Sequence, residues 1–304
     1  MFNKTAVSDF LLLEFSEVRE LQLLHFTLFL MVYLATVTGN LLIISSVTLD
    51  HHLHTPMYFF LMNLAIQDLG QVSVIVPKSM INSLLNIRHI SYPGCVAQLF
   101  FFMFFITSDF CILTVMAYDR YVAICNPLRY EMLINWQACS EMLVGVWIAS
   151  FLYATLNTSG TFAIHFCSNT VNQFFCEVPQ LIKLVCSELN LIVMTTIGIG
   201  AVLALGCFVY ILVTYVQIFI MVLRLPSAKG RQKAFSTCIP HLIVCSTFLF
   251  TGCVAYLKPM SNTPSWQDLL FTVIYSLVPP MLNPVIYSIR NKEMKKAMSQ
   301  VLGF

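Results

Sequence analysis

Charge is the scarcest property of this sequence. Asp, Glu, Lys and Arg together make up only 10% of its 304 residues, whereas 58% are hydrophobic. A soluble domain carries about 25% charged residues, so this chain has too few charged residues to form a surface that faces water. The shortage excludes a soluble globular protein and predicts a chain whose main solvent is lipid.

Several functional signatures are missing as well. The net charge is +2 and no dense basic run occurs, which argues against a nucleic-acid-binding protein. The eleven cysteines contain no CxxC pair, and neither a zinc spacing nor an HExxH motif is present. His165 and His241 lack a nucleophile and an acid as partners. We therefore expect no metal, no cofactor and no enzymatic activity.

Long apolar runs make up most of what is present. A helix needs about 20 apolar residues to cross a bilayer, and seven runs are long enough. We predict an all-α membrane protein with a single domain, residues 1–304, built as a seven-helix bundle. The predicted spans cover residues 23–49, 57–80, 93–123, 139–163, 190–223, 233–257 and 266–290. In the tail, residues 291–304, lysines alternate with methionines as in a short amphipathic helix that lies on the membrane.

The distribution of basic residues predicts the orientation. Ten of them lie in the loops after spans one, three and five and in the tail, and six lie on the other side. The positive-inside rule makes the first group cytoplasmic, which leaves residues 1–22 extracellular. Asn3 begins an N-glycosylation acceptor on that side. Four cysteines fall on the same oxidising side, where disulfides form: Cys95, Cys167, Cys176 and Cys186.

Two carboxylates interrupt the apolar runs of spans two and three. Asp68 and Asp109 would each cost roughly 2.5 to 3.5 kcal/mol at a helix centre, so we expect both to face the bundle interior. Two interpretations stay open. The acids form a shared site for a cation or a proton, or each only hydrogen-bonds to polar neighbours in a packed interior.

The sequence "MAYDRYVAIC", residues 116–125, ends the third span with adjacent charges at Asp119 and Arg120. Taken alone, Arg120 is interpreted as a helix-end anchor whose charge reaches the membrane interface. Four further stretches give this motif a context. They are "GN" at 39–40, "LHTPMYFFLMNLA" at 53–65, "KAFSTCIPHL" at 233–242 and "PMLNPVIYSIRN" at 280–291.

With these five signatures in register, the chain resembles a rhodopsin-like G-protein-coupled receptor, and within that group an olfactory receptor of the tetrapod type (class II). The resemblance covers nearly the whole chain. It implies a plasma-membrane receptor for small, mostly hydrophobic, neutral volatile ligands. It also implies that the receptor activates a stimulatory heterotrimeric G protein and so raises cyclic AMP.

The resemblance assigns roles to individual residues. It implies that Arg120 is held near Asp119 at rest and swings toward the G protein on activation. The implied activation set is Asp119, Arg120, Tyr121, Tyr215, Asn283, Pro284 and Tyr287. The implied ligand pocket is Phe102, Met103, Ile106, Thr107, Ile199, Leu203, Gly252, Cys253, Tyr256 and Ser276. The implied disulfides are Cys95–Cys176 and Cys167–Cys186.

Both the matches and the departures restrict the ligand. Phe102 stands where similar amine receptors hold an acid, and span seven has no lysine for a retinal Schiff base. Many olfactory receptors carry Phe-Tyr-Gly where this chain has Phe248-Leu249-Phe250, so a Tyr-based trigger in span six is in doubt. Gln173 replaces a histidine common in the family, which weakens metal-assisted odorant binding.

Two other functions are compatible with the sequence. The first is a receptor of the same fold for a non-odour metabolite outside the nose, because the binding chemistry would be the same. The second is a proton or ion transporter that uses Asp68 and Asp109 as a relay. The absence of an internal repeat and of a continuous polar path argues against the transporter.

Overall fold

The computed structural model describes residues 8–13, 18–186, 191–224, 239, 242–254, 266–290 and 292–303. Seven apolar helices follow one another along this part of the chain. They are α1 (Arg19–Leu49), α2 (Pro56–Leu85), α3 (Tyr92–Cys125), α4 (Trp136–Phe162), α5 (Leu191–Leu223), α6 (Leu242–Val254) and α7 (Trp266–Arg290). All except α6, which is shorter in the described residues, are long and apolar enough to cross a membrane.

Local sequence signals determine where several helices begin and end. Ser91 caps α3 by accepting a hydrogen bond from the Gly94 amide at 3.2 Å, and Asn135 caps α4 through the Ala138 amide at 2.9 Å. These side chains satisfy amides that have no partner within the helix. At the other end of α2, Asn86 adopts a left-handed conformation with φ of 52°, which stops the helix.

Helix α2 continues to Leu85, five residues past the predicted end of its span at residue 80. Lys78 lies two residues before that predicted end, and a charged residue at this position favours an early end to an apolar span. The Lys78 ammonium donates instead to the carbonyls of Ile87 and His89, at 3.2 Å and 2.6 Å. A lysine whose charge is satisfied at the helix end does not interrupt the helix.

The bundle has two ends, which we name by the chain termini. The N-terminal face carries residues 8–13, and the C-terminal face carries α8 (Lys292–Val301). Each face has its own cluster of buried apolar side chains. Between them, α1 packs closely on α7, since a Cβ added at Gly39 would lie 2.9 Å from the Pro284 ring. Only glycine allows this approach.

A small cap covers the N-terminal face. Strand β1 (Asp9–Leu11) pairs antiparallel with β2 (His89–Ser91). Beside them lies loop two, which we define as residues 163–186 between α4 and α5. The Val171 amide donates to the Leu11 carbonyl at 2.8 Å, so the loop extends this pairing. Both predicted disulfides, Cys95–Cys176 and Cys167–Cys186, are present in the structure.

The C-terminal face is closed by the predicted amphipathic helix. In α8, Met294 and Ala297 are buried against the bundle, while Lys295 and Lys296 are exposed. The Tyr58 hydroxyl of α2 donates to Glu293 at 3.3 Å, which ties α8 to the bundle. The residues between α3 and α4, 126–135, form two single turns at the same face.

Candidate functional site

An aromatic cluster lies under the cap on the N-terminal face. The ring of Phe102 in α3 lies 4.9 Å from Phe175 of loop two and 6.2 Å from Tyr275 of α7, measured between centroids. All three side chains are buried. Aromatic rings at such distances attract each other, and this attraction adds to the free energy gained by burying their surface. The cluster joins two helices and a loop at one point.

Several predicted pocket residues surround this cluster. Met103 is buried beside Phe102, and Ile106 and Thr107 follow one turn deeper on α3, where they are half-buried. Ser276 of α7 is fully buried and donates to the Thr272 carbonyl at 2.6 Å. The predicted residues of α3 and α7 therefore lie inside the bundle, toward the N-terminal face.

The structure does not bring the predicted residues of α5 and α6 into this group. Ile199 and Leu203 of α5 are 44% and 57% exposed, and Cys253 of α6 is exposed as well. Gly252 is half-buried, with no atom within 4 Å of an added Cβ, and Tyr256 lies outside the described residues. Because α5 is apolar on every side, hydropathy does not indicate which face turns inward.

Sequence reasoning missed a buried acid beside the aromatic cluster. Glu177 of loop two is 1% exposed and accepts a hydrogen bond from the Tyr275 hydroxyl. Its other oxygen accepts from the Gln173 amide at 3.4 Å. Burial raises the pKa of the Glu177 carboxyl to about 7, although these hydrogen bonds oppose the shift. A lone glutamate within the apolar stretch "FFCEVP" was the available signal.

Gln173, a departure from the family pattern, has a definite place in this site. Its amide nitrogen also donates to the Thr272 hydroxyl of α7 at 2.9 Å. Through these hydrogen bonds, Gln173 connects Glu177 of the same loop to Thr272 of α7. A neutral amide provides this second hydrogen-bond donor without adding a charge to the buried site.

The two interior acids lie deeper in the bundle. Asn283 of α7 donates to both carboxylate oxygens of Asp68, at 3.3 Å and 3.1 Å. One oxygen of Asp109 is buried without a hydrogen-bond partner in the described structure, as is the amide oxygen of Asn283. A carboxylate oxygen can take up a proton, and both carboxylate and amide oxygens can coordinate a small cation. Both interpretations of these acids therefore stay open.

At the C-terminal face, Asp119 and Arg120 end α3. The Asp119 carboxylate is buried and accepts a hydrogen bond from the Tyr130 hydroxyl at 2.8 Å. Within the described residues it forms no ion pair with Arg120, which is half-buried. The partner of Asp119 thus comes from the loop after α3. Tyr130 lies five residues beyond the quoted motif, and the spacing of the sequence did not indicate this contact.

The other predicted activation residues belong to the same end of the bundle. Tyr215 of α5 is buried, while Tyr121 and Tyr287 are half-buried and pack against the same apolar cluster. The Tyr287 hydroxyl has no hydrogen-bond partner in the described part of the chain. It belongs to the same turn of α7 as Pro284, a residue that removes one backbone donor and favours a bend. The Tyr287 hydroxyl can therefore form a new hydrogen bond if the helices move.

Comparison with known proteins identifies the family of this chain. The family model of the olfactory receptor matches residues 29–303. Human olfactory receptor 14I1 is 50% identical over 299 residues, which cover 98% of this chain and 96% of the relative. Human olfactory receptors 14L1 and 14A2 are 46% and 47% identical over 303 residues each, with 99% of this chain and 93% and 96% of the relatives covered.

The chain belongs to the olfactory receptor family. The family is one of G-protein-coupled receptors and not of enzymes, so the predicted recognition, the seven-helix fold and the absence of enzymatic activity are confirmed. Its apolar helices make this olfactory receptor a multi-pass membrane protein.

One further surface of this olfactory receptor was not found from the sequence. Leu128 is fully exposed in the segment between α3 and α4, and Met132 is 67% exposed one turn later. Both lie at the C-terminal face, near the end of α3 that carries Arg120. An apolar residue inside the otherwise polar stretch "NPLRY" was the signal. Leu128 thus presents an apolar side chain at the face that carries the family motif.

The departure in α6 also has a structural outcome in this olfactory receptor. The Phe248 ring stacks on Phe110 of α3 at 5.3 Å, whereas Phe250 is 65% exposed. Neither side chain supplies the hydroxyl that the family tyrosine would place in this helix. The contact between α3 and α6 at this level is therefore apolar.

Proposed function

We propose that this olfactory receptor is a plasma-membrane odorant receptor with its N-terminal face outside the cell. It binds small, mostly hydrophobic, neutral ligands in the bundle under loop two. Binding activates a stimulatory heterotrimeric G protein at the C-terminal face, which raises cyclic AMP.

The observation that carries this proposal is the aromatic cluster of Phe102, Phe175 and Tyr275. The rings of this cluster are apolar. The polar groups nearby are the hydroxyls of Thr107 and Ser276 and the paired acid Glu177. A site of this kind, mostly apolar with a few convergent polar groups, is typical of small-molecule binding. The ligand gains free energy mainly from burial of apolar surface, at about 25 cal/mol per Å².

The first prediction separates the buried part of the expected pocket from the exposed part. Phe102→Ala should raise the agonist concentration for half-maximal cyclic AMP by about tenfold or more, because truncating one well-packed ring costs on the order of 2 kcal/mol. Ile199→Ala is the matched control, since Ile199 is 44% exposed on α5. We expect this control to shift potency less than about twofold. Equal shifts in the two variants would contradict the proposed position of the ligand.

Coupling to the G protein is supported by the C-terminal face. Arg120 is half-buried at the end of α3, and Leu128 projects fully exposed from the following segment. The G protein would contact Arg120, and an apolar pocket of the same protein would take up Leu128. A cation and an isolated apolar side chain together form a compact docking surface.

The second prediction tests this docking surface. Leu128→Ala should weaken coupling about tenfold, since burial of a leucine at an interface contributes roughly 1.5 to 3 kcal/mol. The measurement is nucleotide exchange on the purified G protein with receptor in nanodiscs. Glu131→Ala serves as the control, because Glu131 is exposed on the same segment and its loss removes no apolar side chain from the surface. If Leu128→Ala stimulates exchange as well as the unmodified receptor, Leu128 is not part of the interface.

A further inference from the structure

Loop two contacts α7 through a row of three polar pairs. Gln173 donates to Thr272 at 2.9 Å, Glu177 accepts from Tyr275, and the Lys183 ammonium lies 3.8 Å from the Asp268 carboxylate. The three partners on α7 follow one another at spacings of four and three residues. Residues at these spacings lie on one face of a helix. One face of α7 therefore contacts loop two over two helical turns.

The middle pair lies directly on the ligand site. The Tyr275 ring, whose hydroxyl bonds to Glu177, is 6.2 Å from the Phe102 ring. Two residues before Glu177, Phe175 packs against the same Phe102 ring at 4.9 Å. The position of this part of the loop thus determines the shape of the roof over the site.

A buried carboxylate is costly unless it is paired, so Glu177 needs an explanation. The disulfide Cys95–Cys176 already attaches the preceding residue to α3, and the Cys176 amide donates to Gln98 of α3 at 2.9 Å. These bonds hold the loop to α3 alone. The contacts from Glu177 and Gln173 hold it to α7, the helix that carries Asn283 and Tyr287.

We propose that Glu177 and Tyr275 form a latch that positions loop two as a lid on the ligand site and couples this lid to α7. Gln173 and Thr272 form the second arm of the latch. The role in agonist response rests on the proposed function. The closed position of the lid does not, because it is a property of the ligand-free receptor.

Opening of the lid transfers Glu177 to water, and this makes the latch sensitive to pH. The pKa of Glu177 is about 7 in the closed lid, compared with 4.5 for an unperturbed glutamate. The titratable groups facing it are Tyr275 of α7 and Lys183 of the loop, which is itself paired with Asp268. A raised pKa favours the closed lid at low pH. This preference is lost as pH rises from about 4.5 through 7.

The test is hydrogen exchange of residues 171–178 in ligand-free receptor in nanodiscs. Tyr275→Phe should accelerate exchange about tenfold, because one buried hydrogen bond is lost and the carboxylate is left short of a donor. Thr272→Val, which removes the second arm, should act in the same direction. Tyr33→Phe is the matched control, since the Tyr33 hydroxyl makes an exposed 3.4 Å contact with Ser73 between α1 and α2.

Two outcomes of this experiment overturn the latch. The first is unchanged exchange in both Tyr275→Phe and Thr272→Val, which would mean that the disulfide and the hydrogen bonds to residues 11–13 hold the loop without help from α7. The second is equal acceleration in Tyr33→Phe, which would mean a general loosening of the bundle.

The pH dependence of hydrogen exchange is a further measurement. It would not change if Glu177 only held the loop in place without ionising. After division by the intrinsic chemical rate, exchange of residues 171–178 should rise at least about tenfold between pH 5 and pH 8. Glu177→Gln cannot ionise and should remove this dependence while keeping an acceptor for Tyr275. A profile that is the same in Glu177→Gln and in the unmodified receptor would overturn the latch.

Signalling separates the latch from the proposed function. If Tyr275→Phe both opens the lid and raises the agonist concentration needed for cyclic AMP by about tenfold, both proposals are supported. If the lid opens in Tyr275→Phe but no odorant evokes cyclic AMP in any form of the receptor, the latch stands and the proposed function fails.

Discussion

Replacement of Arg120 with alanine is expected to abolish the cyclic AMP response while the receptor reaches the cell surface at its normal level. The guanidinium is the proposed contact with the G protein, and no second cation occupies the end of α3. Folding should tolerate the change, because Asp119 keeps its hydrogen bond from Tyr130. Removal of Arg120 therefore leaves no unpaired buried carboxylate. The measurements are cyclic AMP at saturating agonist and surface staining of the same cells.

Arg129→Ala is the matched control for this prediction. Arg129 lies nine residues further along the chain and is exposed on the segment between α3 and α4. It should retain most of the response, since exposed charges contribute little to a specific contact. A full response in Arg120→Ala would contradict the assigned switch. Equal losses in both variants would instead indicate that only the total positive charge of this face matters.

Removal of the disulfide between Cys95 and Cys176 is expected to prevent most of the receptor from reaching the cell surface. The bond closes a loop with a sequence separation of 81 residues, which corresponds to about 4 kcal/mol in the chain-entropy model. It also attaches to α3 the part of loop two that carries Phe174 and Phe175. The double variant Cys95→Ser with Cys176→Ser avoids a leftover thiol, and surface staining measures the loss.

The second disulfide provides the comparison. Cys167 and Cys186 are separated by 19 residues and attach loop two only to itself. Their double serine variant should lose less surface receptor, because a shorter loop is closed and no helix is released. If the two double variants reach the surface equally well, then attachment of the loop to α3 does not determine folding.

Most of the helices can be predicted from the lengths of the apolar runs in the sequence. The bounds of α3, Tyr92–Cys125, differ from the predicted 93–123 by one or two residues, because lipid requires a continuous apolar helix. The cap of β1 and β2 was not predicted. Its strands have three residues each and depend on contacts between residues 9–11 and 89–91, far apart in sequence. A local sequence pattern does not predict pairing between segments so far apart.

The candidate site was only partly accessible to sequence reasoning. Phe102 and Ser276 were expected in the pocket from the resemblance to olfactory receptors, and both are buried in the bundle. Ile199 and Leu203 lie in the run "GIGAVLALG", residues 198–206, which contains no polar side chain. Their place in a pocket stays a prediction. Glu177 became visible only when the loop was placed over α7, since its hydrogen-bond partner Tyr275 is 98 residues away.

The most direct test of the central claim is a cyclic AMP measurement in cells that express this receptor. A panel of neutral volatile compounds would be applied with and without the olfactory stimulatory G-protein α subunit, and surface staining would be recorded in parallel. We predict a response to at least one hydrophobic compound that requires the α subunit and disappears in Arg120→Ala. Proton or ion flux across the membrane of well-stained cells, with no cyclic AMP response to any compound, would contradict the account and favour a transporter.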